Sequence, residues 1–190
     1  WGKKVTLVME GEETRADKDL VEALSEPLIH MVRNSLDHGV ELPSERTATG
    51  KQPEGTIHLR AFQEAGSIVV EIVDDGKGID PARIRSKAAE KGVASPEALA
   101  AMSDDEVIQL IFAPNFSTAD QISDLSGRGV GMDAVQTMVT TFNGTVRVSS
   151  LLGKGSTVRL TLPLSMAITR LLTVKECGCP FGLPAHDLLE

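Results

Sequence analysis

The sequence predicts an α+β fold: a two-layer α/β sandwich in which a mixed, mostly antiparallel sheet carries helices on one face. Three observations lead there. Segments rich in β-branched residues interleave with segments of helical periodicity. Two pairs of β segments turn back on short glycine-containing loops, Ala65-Gly66-Ser67 and Gly153-Lys154-Gly155, as antiparallel neighbours do. A doubly wound parallel sheet would need long crossovers at those places instead. The 190 residues suffice for one domain with a core and a piece of a second.

Each element has its own signal. Lys3–Met9 alternates and is β-branched, so it reads as a strand. Asp19 is expected to cap a helix that runs to His38 and stops at Gly39, with Pro27 kinking or splitting it. Residues 40–54 read as a polar loop with one helical turn after Pro43-Ser44. Thr56–Gln63 and Ile68–Val73 form a strand pair, and Asp74-Asp75-Gly76-Lys77-Gly78 breaks the second strand. Pro81–Lys91 is a helix with Asp80 as cap and Pro81 at its first position. Shorter helices are expected at Glu97–Met102 and Asp104–Phe112. Residues 114–128 form a polar connection, Gly129–Phe142 a helix, and Thr145–Ser149 and Ser156–Leu162 the last strands.

Composition narrows the function. A net charge of −8 makes nucleic acid and anionic membrane poor partners. Aromatic content is 3%, with no tyrosine and one tryptophan, so a flat ligand must be held by hydrogen bonds and aliphatic contact. Cys177 and Cys179 are too few for a disulfide framework and too close for a four-ligand zinc site. No apolar run approaches a membrane span, and Trp1-Gly2-Lys3-Lys4 is no signal peptide. A reducing, cytoplasmic setting and no membrane insertion are expected.

Four constellations carry chemistry. At about 100° per residue, Leu28, Val32, Ser35 and Leu36 share one helix face, and His30, Asn34, Asp37 and His38 the opposite one. Taken alone, that polar face also fits a solvated surface. Histidine and asparagine are nevertheless poor fillers for an exposed helix, and an asparagine oxygen is a good hard ligand for Mg²⁺. The second constellation is D-x-G-x-G at 74–78, where a strand-end carboxylate can accept from a pocket donor and two glycines allow close backbone approach. The third, Gly127-Arg128-Gly129-Val130-Gly131-Met132, opens a helix whose N–H groups and dipole favour phosphate. It is neither a dinucleotide fingerprint nor a Walker P-loop. Gly153-Lys154-Gly155-Ser156-Thr157 alone indicates a hairpin turn.

Order supplies the specificity. An asparagine helix, D-x-G-x-G, Phe116-Ser117-Thr118, G-x-G-x-G and G-x-G-S succeed one another across residues 3–163. This series resembles the Bergerat-type nucleotide-binding fold of the gyrase, Hsp90, histidine-kinase and MutL superfamily. Within it, HMVRNSLDHGVELPSER, VDDGKGID, PNFST and SGRGVGMDAV resemble the chemotaxis histidine kinases. The resemblance implies an ATP-binding kinase catalytic domain over residues 1–163. Residues 164–190 would be a linker and the start of a truncated regulatory domain, a β-barrel like the coupling protein.

It further implies a Mg-ATP-dependent protein-histidine kinase that transfers the γ-phosphoryl group to a histidine on a separate phosphotransfer domain. Asn34 would bind Mg²⁺, and Asp74 would accept the adenine amino group with help from Ser156. The expected catalytic residues are His30, Asn34 and His38. Nucleotide contacts are expected from Arg33, Asp37, His38, Gly76, Gly78, Ile79, Arg83, Lys87, Phe116, Ser117, Thr118, Gly127, Arg128, Gly129, Val130, Gly131 and Met132. Residues 114–128 would form a lid ordered by nucleotide. His30 stands where ATP-hydrolysing members carry a glutamate, so water would be poorly activated. Expected partners are a phosphotransfer domain as substrate, the chemotaxis coupling protein and receptors through the regulatory domain, and a response regulator indirectly. The whole kinase would be a homodimer and this fragment a monomer. The competing readings are an ATPase or chaperone-type member of the fold and a non-catalytic nucleotide-binding interaction module.

Overall fold

The computed structural model describes residues 2–114, 116 and 131–164, and the backbone of 171–176 and 179–184. The sheet is mixed and five-stranded. β1 (Val5–Glu10) forms one edge and runs parallel to β2 (Gly55–Glu64), with Val5 opposite Gly55. β2 turns into β3 (Ser67–Asp74) through Ala65 and Gly66, whose φ values of 48° and 78° match the left-handed pair that a two-residue hairpin favours. β3 then pairs antiparallel with β5 (Gly155–Pro163), and β5 with β4 (Thr145–Leu151), giving the order β1-β2-β3-β5-β4. β6 (Leu171–Glu176) and β7 (Cys179–Pro184) form a separate antiparallel pair.

The first helix departs from expectation in three ways. α1 (Lys18–Asn34) is capped by Asp17, whose Oδ1 accepts from the Asp19 N–H at 2.9 Å, so Asp19 lies in the first turn. Pro27 does not split it: the helix runs unbroken to Asn34, with Pro27 on the buried stripe. That stripe is Leu20, Leu24, Pro27, Met31 and Ser35, which fall within about 80° on a helical projection. Met31 is 2% exposed, whereas Leu36, expected on the apolar face, is 37% exposed. The buried stripe itself, continued at 100° per residue, leaves Leu36 about 140° from its centre. A π-helical turn over Ser35–Gly39, closed by Val40 N–H donating to Ser35 O at 2.8 Å, then shifts the angular positions of the residues that follow. Lys3 Nζ donates to the Leu36 and Asp37 carbonyls at 2.8 and 2.7 Å, satisfying groups that the helix end leaves open.

α2 (Pro43–Ala48) is the turn expected after Pro43. α3 (Pro81–Glu90) carries the expected Asp80 cap, its Oδ1 accepting from Ala82 N–H at 2.9 Å. α4 (Pro96–Ala101) and α5 (Asp104–Gln109) come next, and a 3₁₀ turn over Leu110–Phe112 replaces the continuous helix expected to Phe112. α6 spans Met132–Thr141.

α1 and α6 pack on the sheet face that presents Ile57, Ile68, Val70, Ile72, Leu160 and Leu162, forming the main core. α3, α4 and α5 build a second cluster around Ile84, Ala88, Leu99 and Val107. A third, around Ile108, Phe112 and Val148, joins that layer to β4. The opposite sheet face carries ion pairs between neighbouring strands, among them Arg60 with Glu10 and Arg159 with Glu71.

Candidate functional site

The site is organised by the last turn of α1 and the end of β3. Asp74 terminates β3, and the residue is 6% exposed. Oδ1 accepts from Gly76 N–H at 3.0 Å, and Oδ2 accepts from the Ser35 hydroxyl at 3.1 Å. Burial pushes the Asp74 carboxyl up from its ordinary range, against the downward pull of donors on Gly76, Ser35 and Ser156. Ser156 is the cross-strand partner of Asp74, and its Oγ lies 3.1 Å from Ser150 Oγ. Side chains are excluded around the carboxylate. A Cβ on Gly76 would sit 2.3 Å from Gly39 O, and one on Gly39 would lie 3.2 Å from Asp74 Oδ1. The π turn is therefore what brings Gly39 against the acid.

Asn34, one residue before Ser35, reaches the other way. Its Nδ2 donates to His30 Nε2 at 2.9 Å and meets Met132 Sδ at 3.3 Å. Burial, then Arg33, lowers the His30 pKa, with Asp133 pulling it back, so the imidazole is neutral at pH 7 and its Nε2 can accept. With Nδ2 so engaged, the Asn34 Oδ1 is the hard ligand the side chain has to offer. Among the described residues no three His, Cys, Asp or Glu side chains gather as a metal site. An amide oxygen is of the chemical type that a hard divalent cation accepts.

Adjacent residues 34 and 35 tie α1 to α6 and to β3 at once. The amide, the acid and the Gly131-Met132 end of the glycine segment accordingly meet around one helix end. Arg33, Asp37 and His38 are exposed on that end, and Arg83 is exposed on α3 with Lys87 half-buried one turn on. Gly78 adopts φ +74° against Leu151 O, and Ile79 N–H donates to Ser150 Oγ at 2.8 Å while its side chain packs in the second cluster. Phe116 is buried in that cluster under the Lys91 ammonium, 5.7 Å from its ring centroid. Ser117, Thr118, Gly127, Arg128, Gly129, Val130 and most of the expected lid lie outside the described residues.

Sequence reasoning missed one assembly. Arg46, 2% exposed, donates to the Gln52 carbonyl at 2.8 Å, to Glu41 at 3.1 Å and to the Asp75 carboxylate at 2.7 Å. Lys51 Nζ bonds Glu41 at 2.8 Å, Asp75 O at 3.0 Å and Gly76 O at 2.7 Å. The signal was present as charges in a stretch that reads as polar loop, but their target lies at 74–76, distant in sequence.

The chain belongs to the family described as histidine kinase-, DNA gyrase B-, and HSP90-like ATPase, which matches residues 23–166. Among curated relatives it is 46% identical over 189 residues to the chemotaxis protein CheA of Salmonella typhimurium, covering 100% of this chain and 28% of the relative. It is 49% identical over 188 residues to CheA of Borreliella burgdorferi, covering 99% of this chain and 22% of the relative. The sensor histidine kinase CheAY of Helicobacter pylori is 46% identical over 189 residues, with 100% of this chain and 24% of the relative covered. The chain thus spans about a quarter of the length of these relatives. In structure it resembles the histidine kinase domain of the Erythrobacter litoralis EL346 blue-light activated kinase, with a TM-score of 0.50 at 15% identity over 84% of this chain and 55% of that one. The catalytic domain of histidine kinase ThkA gives 0.50 at 16% identity over 84% and 79%. The fold is that of histidine kinase catalytic domains. Among the described residues, no helix is long and apolar enough to cross a membrane.

Proposed function

We propose that this chain is the Mg-ATP-dependent catalytic domain of a protein-histidine kinase in chemotaxis signalling, acting in the cytoplasm. The observation that carries the reading is the buried Asp74 carboxylate, held by Gly76 and Ser35 next to an asparagine whose amide nitrogen is already engaged. Asp74 accepts from the adenine amino group. Guanine would present a lone pair there, and a buried mispairing costs roughly 1–3 kcal/mol. Asn34 offers Oδ1 to Mg²⁺, and Arg33, His38, Arg83, Lys87 and the N–H groups of the glycine segment meet the triphosphate. A Mg²⁺ held there would supply charge neutralisation at the phosphates. His30 holds the Asn34 amide in register and, being neutral and already accepting, is a weak activator of water. An incoming imidazole nitrogen forms the new P–N bond as the bond from the γ-phosphorus to the ADP oxygen breaks.

Size and kinship support a division of labour. The curated relatives are about four times longer, which leaves room in them for a separate phosphotransfer domain carrying the acceptor histidine and for dimer contacts outside this chain. Residues 164–190 begin the regulatory domain that meets the coupling protein and receptors, and the response regulator takes the phosphoryl group from the phosphotransfer domain. The test supplies a purified phosphotransfer domain and radiolabelled ATP. Label should reach its histidine with the wild-type chain and not with Asn34→Ala, while circular dichroism stays native. Full transfer by Asn34→Ala removes the metal role. Fast phosphate release without acceptor would point to an ATPase instead.

A further inference from the structure

We infer that the Glu41–Arg46–Lys51–Asp75 cluster is a positioning device that sets the base selectivity of the site by clamping the turn that aims Asp74. The inference rests on the nucleotide reading above and deepens it. Asp74 can present a fixed carboxylate only if Gly76 N–H returns to its Oδ1, which requires one particular turn at 74–76. That turn is gripped from behind by cations. Arg46 Nη1 reaches Asp75 O at 3.2 Å, and Lys51 Nζ reaches both Asp75 O and Gly76 O. The Asp75 carboxylate is held in turn by Arg46 and by Thr56 N–H on β2, at 3.0 Å for the latter. Glu41 accepts from both cations, one oxygen each.

Two cations and two carboxylates make the cluster neutral, which lets a guanidinium be buried. Three of its cationic hydrogen bonds end on the backbone carbonyls of the two residues after Asp74, so its effect on a ligand is expected to pass through the turn. A cluster serving only stability would have no need to converge there, since Arg46 already ties α2 to the 52–54 loop.

Lys51→Met removes the Lys51 donors to the Asp75 and Gly76 carbonyls, the latter reached by no other cation of the cluster, while leaving the Arg46 bonds to Glu41 and Asp75. Binding to Mg-ATP and Mg-GTP is measured by calorimetry on the whole chain, well below the melting temperature. Expected is a rise of about tenfold in the ATP dissociation constant with a change under twofold for GTP, so that selectivity collapses. Lys51→Arg, which can bond both carbonyls, should restore most of it. If Lys51→Met does not fold, Lys51→Gln, which keeps one donor group, must show an intermediate loss of selectivity. A lowered melting temperature with an unchanged ATP-to-GTP ratio overturns the proposal and leaves the cluster purely structural. The nucleotide reading fails separately, and takes the proposal with it, if the wild-type chain itself binds ATP and GTP alike.

Discussion

Burying the Asp74 carboxylate destabilises the fold wherever that group is ionised. The raised pKa sets the sign. Between the unfolded value and the higher folded one, the native state holds more proton, so stability falls as pH rises through that window. Asn at this position can still accept from Gly76 and donate to Ser35. Asp74→Asn is therefore expected to melt higher than wild type at pH 7, with the gap closing as pH falls toward 4, and to lose ATP binding. A lower melting point at pH 7 would mean that the ionised form is stabilised rather than tolerated. His30 has the opposite sign. Its lowered pKa means that the unfolded chain takes up the proton first, so stability drops as pH falls below the ordinary histidine value. Protonation also removes the Nε2 acceptor that orients Asn34. Phosphotransfer is accordingly expected to have an acid limb that His30→Gln flattens, measured as kcat against pH with a supplied acceptor domain. Both residues were legible in the sequence, because a strand-end acid before glycines and an imidazole one turn before an asparagine are local patterns.

The strands and both hairpins were equally legible, since alternation and Gly-bearing turns are local too. The π turn was not. The face expected through Leu28, Val32 and Leu36 is offset from the buried stripe of Leu24, Pro27 and Met31, which leaves Leu36 outside it, and the widened turn that follows delivers Gly39 to Asp74. Nothing in Ser35–Gly39 announces that insertion; the turn packs against Asp74 and the residues just after β3. Those contacts depend on close backbone approach: Lys77 N–H donates to Gly39 O at 2.9 Å, and Gly76 lies flat against the same peptide. Gly76→Ala would drive its Cβ into Gly39 O, which is backbone and cannot swing aside. Overpacking of this kind costs typically about 1–3 kcal/mol. The variant is expected to unfold at lower urea and to bind ATP more weakly even where it is fully folded. Wild-type affinity in a destabilised variant would separate the helix–strand contact from the site.

At the scale of the molecule, the nucleotide contacts expected on α3 depend on how the α3–α5 layer docks, and that docking was not readable from sequence. It turns on Gln109 at the end of α5. Its Nε2 donates to Val148 O at 2.7 Å and its Oε1 accepts from Val148 N–H at 3.1 Å, so one side-chain amide pairs with the outer edge of β4 as a further strand would. The contact covers an edge that would otherwise present open backbone groups. It also fixes the layer carrying Arg83 and Lys87 relative to Met132, which packs in both the first and third clusters and touches Asn34. Val148 is 4% exposed, so Gln109→Ala leaves a shielded N–H and C=O without partners, each costing about 1–3 kcal/mol. Two effects should appear together: a lower urea midpoint, and a several-fold higher KM for ATP with kcat little changed, because the cationic face of α3 is no longer held at its distance. Gln136→Ala, at an exposed position of α6, should alter neither. If Gln109→Ala lowers stability and leaves KM at the wild-type value, α3 does not meet the triphosphate, and the phosphate contacts must come from the α1 end and the glycine segment alone.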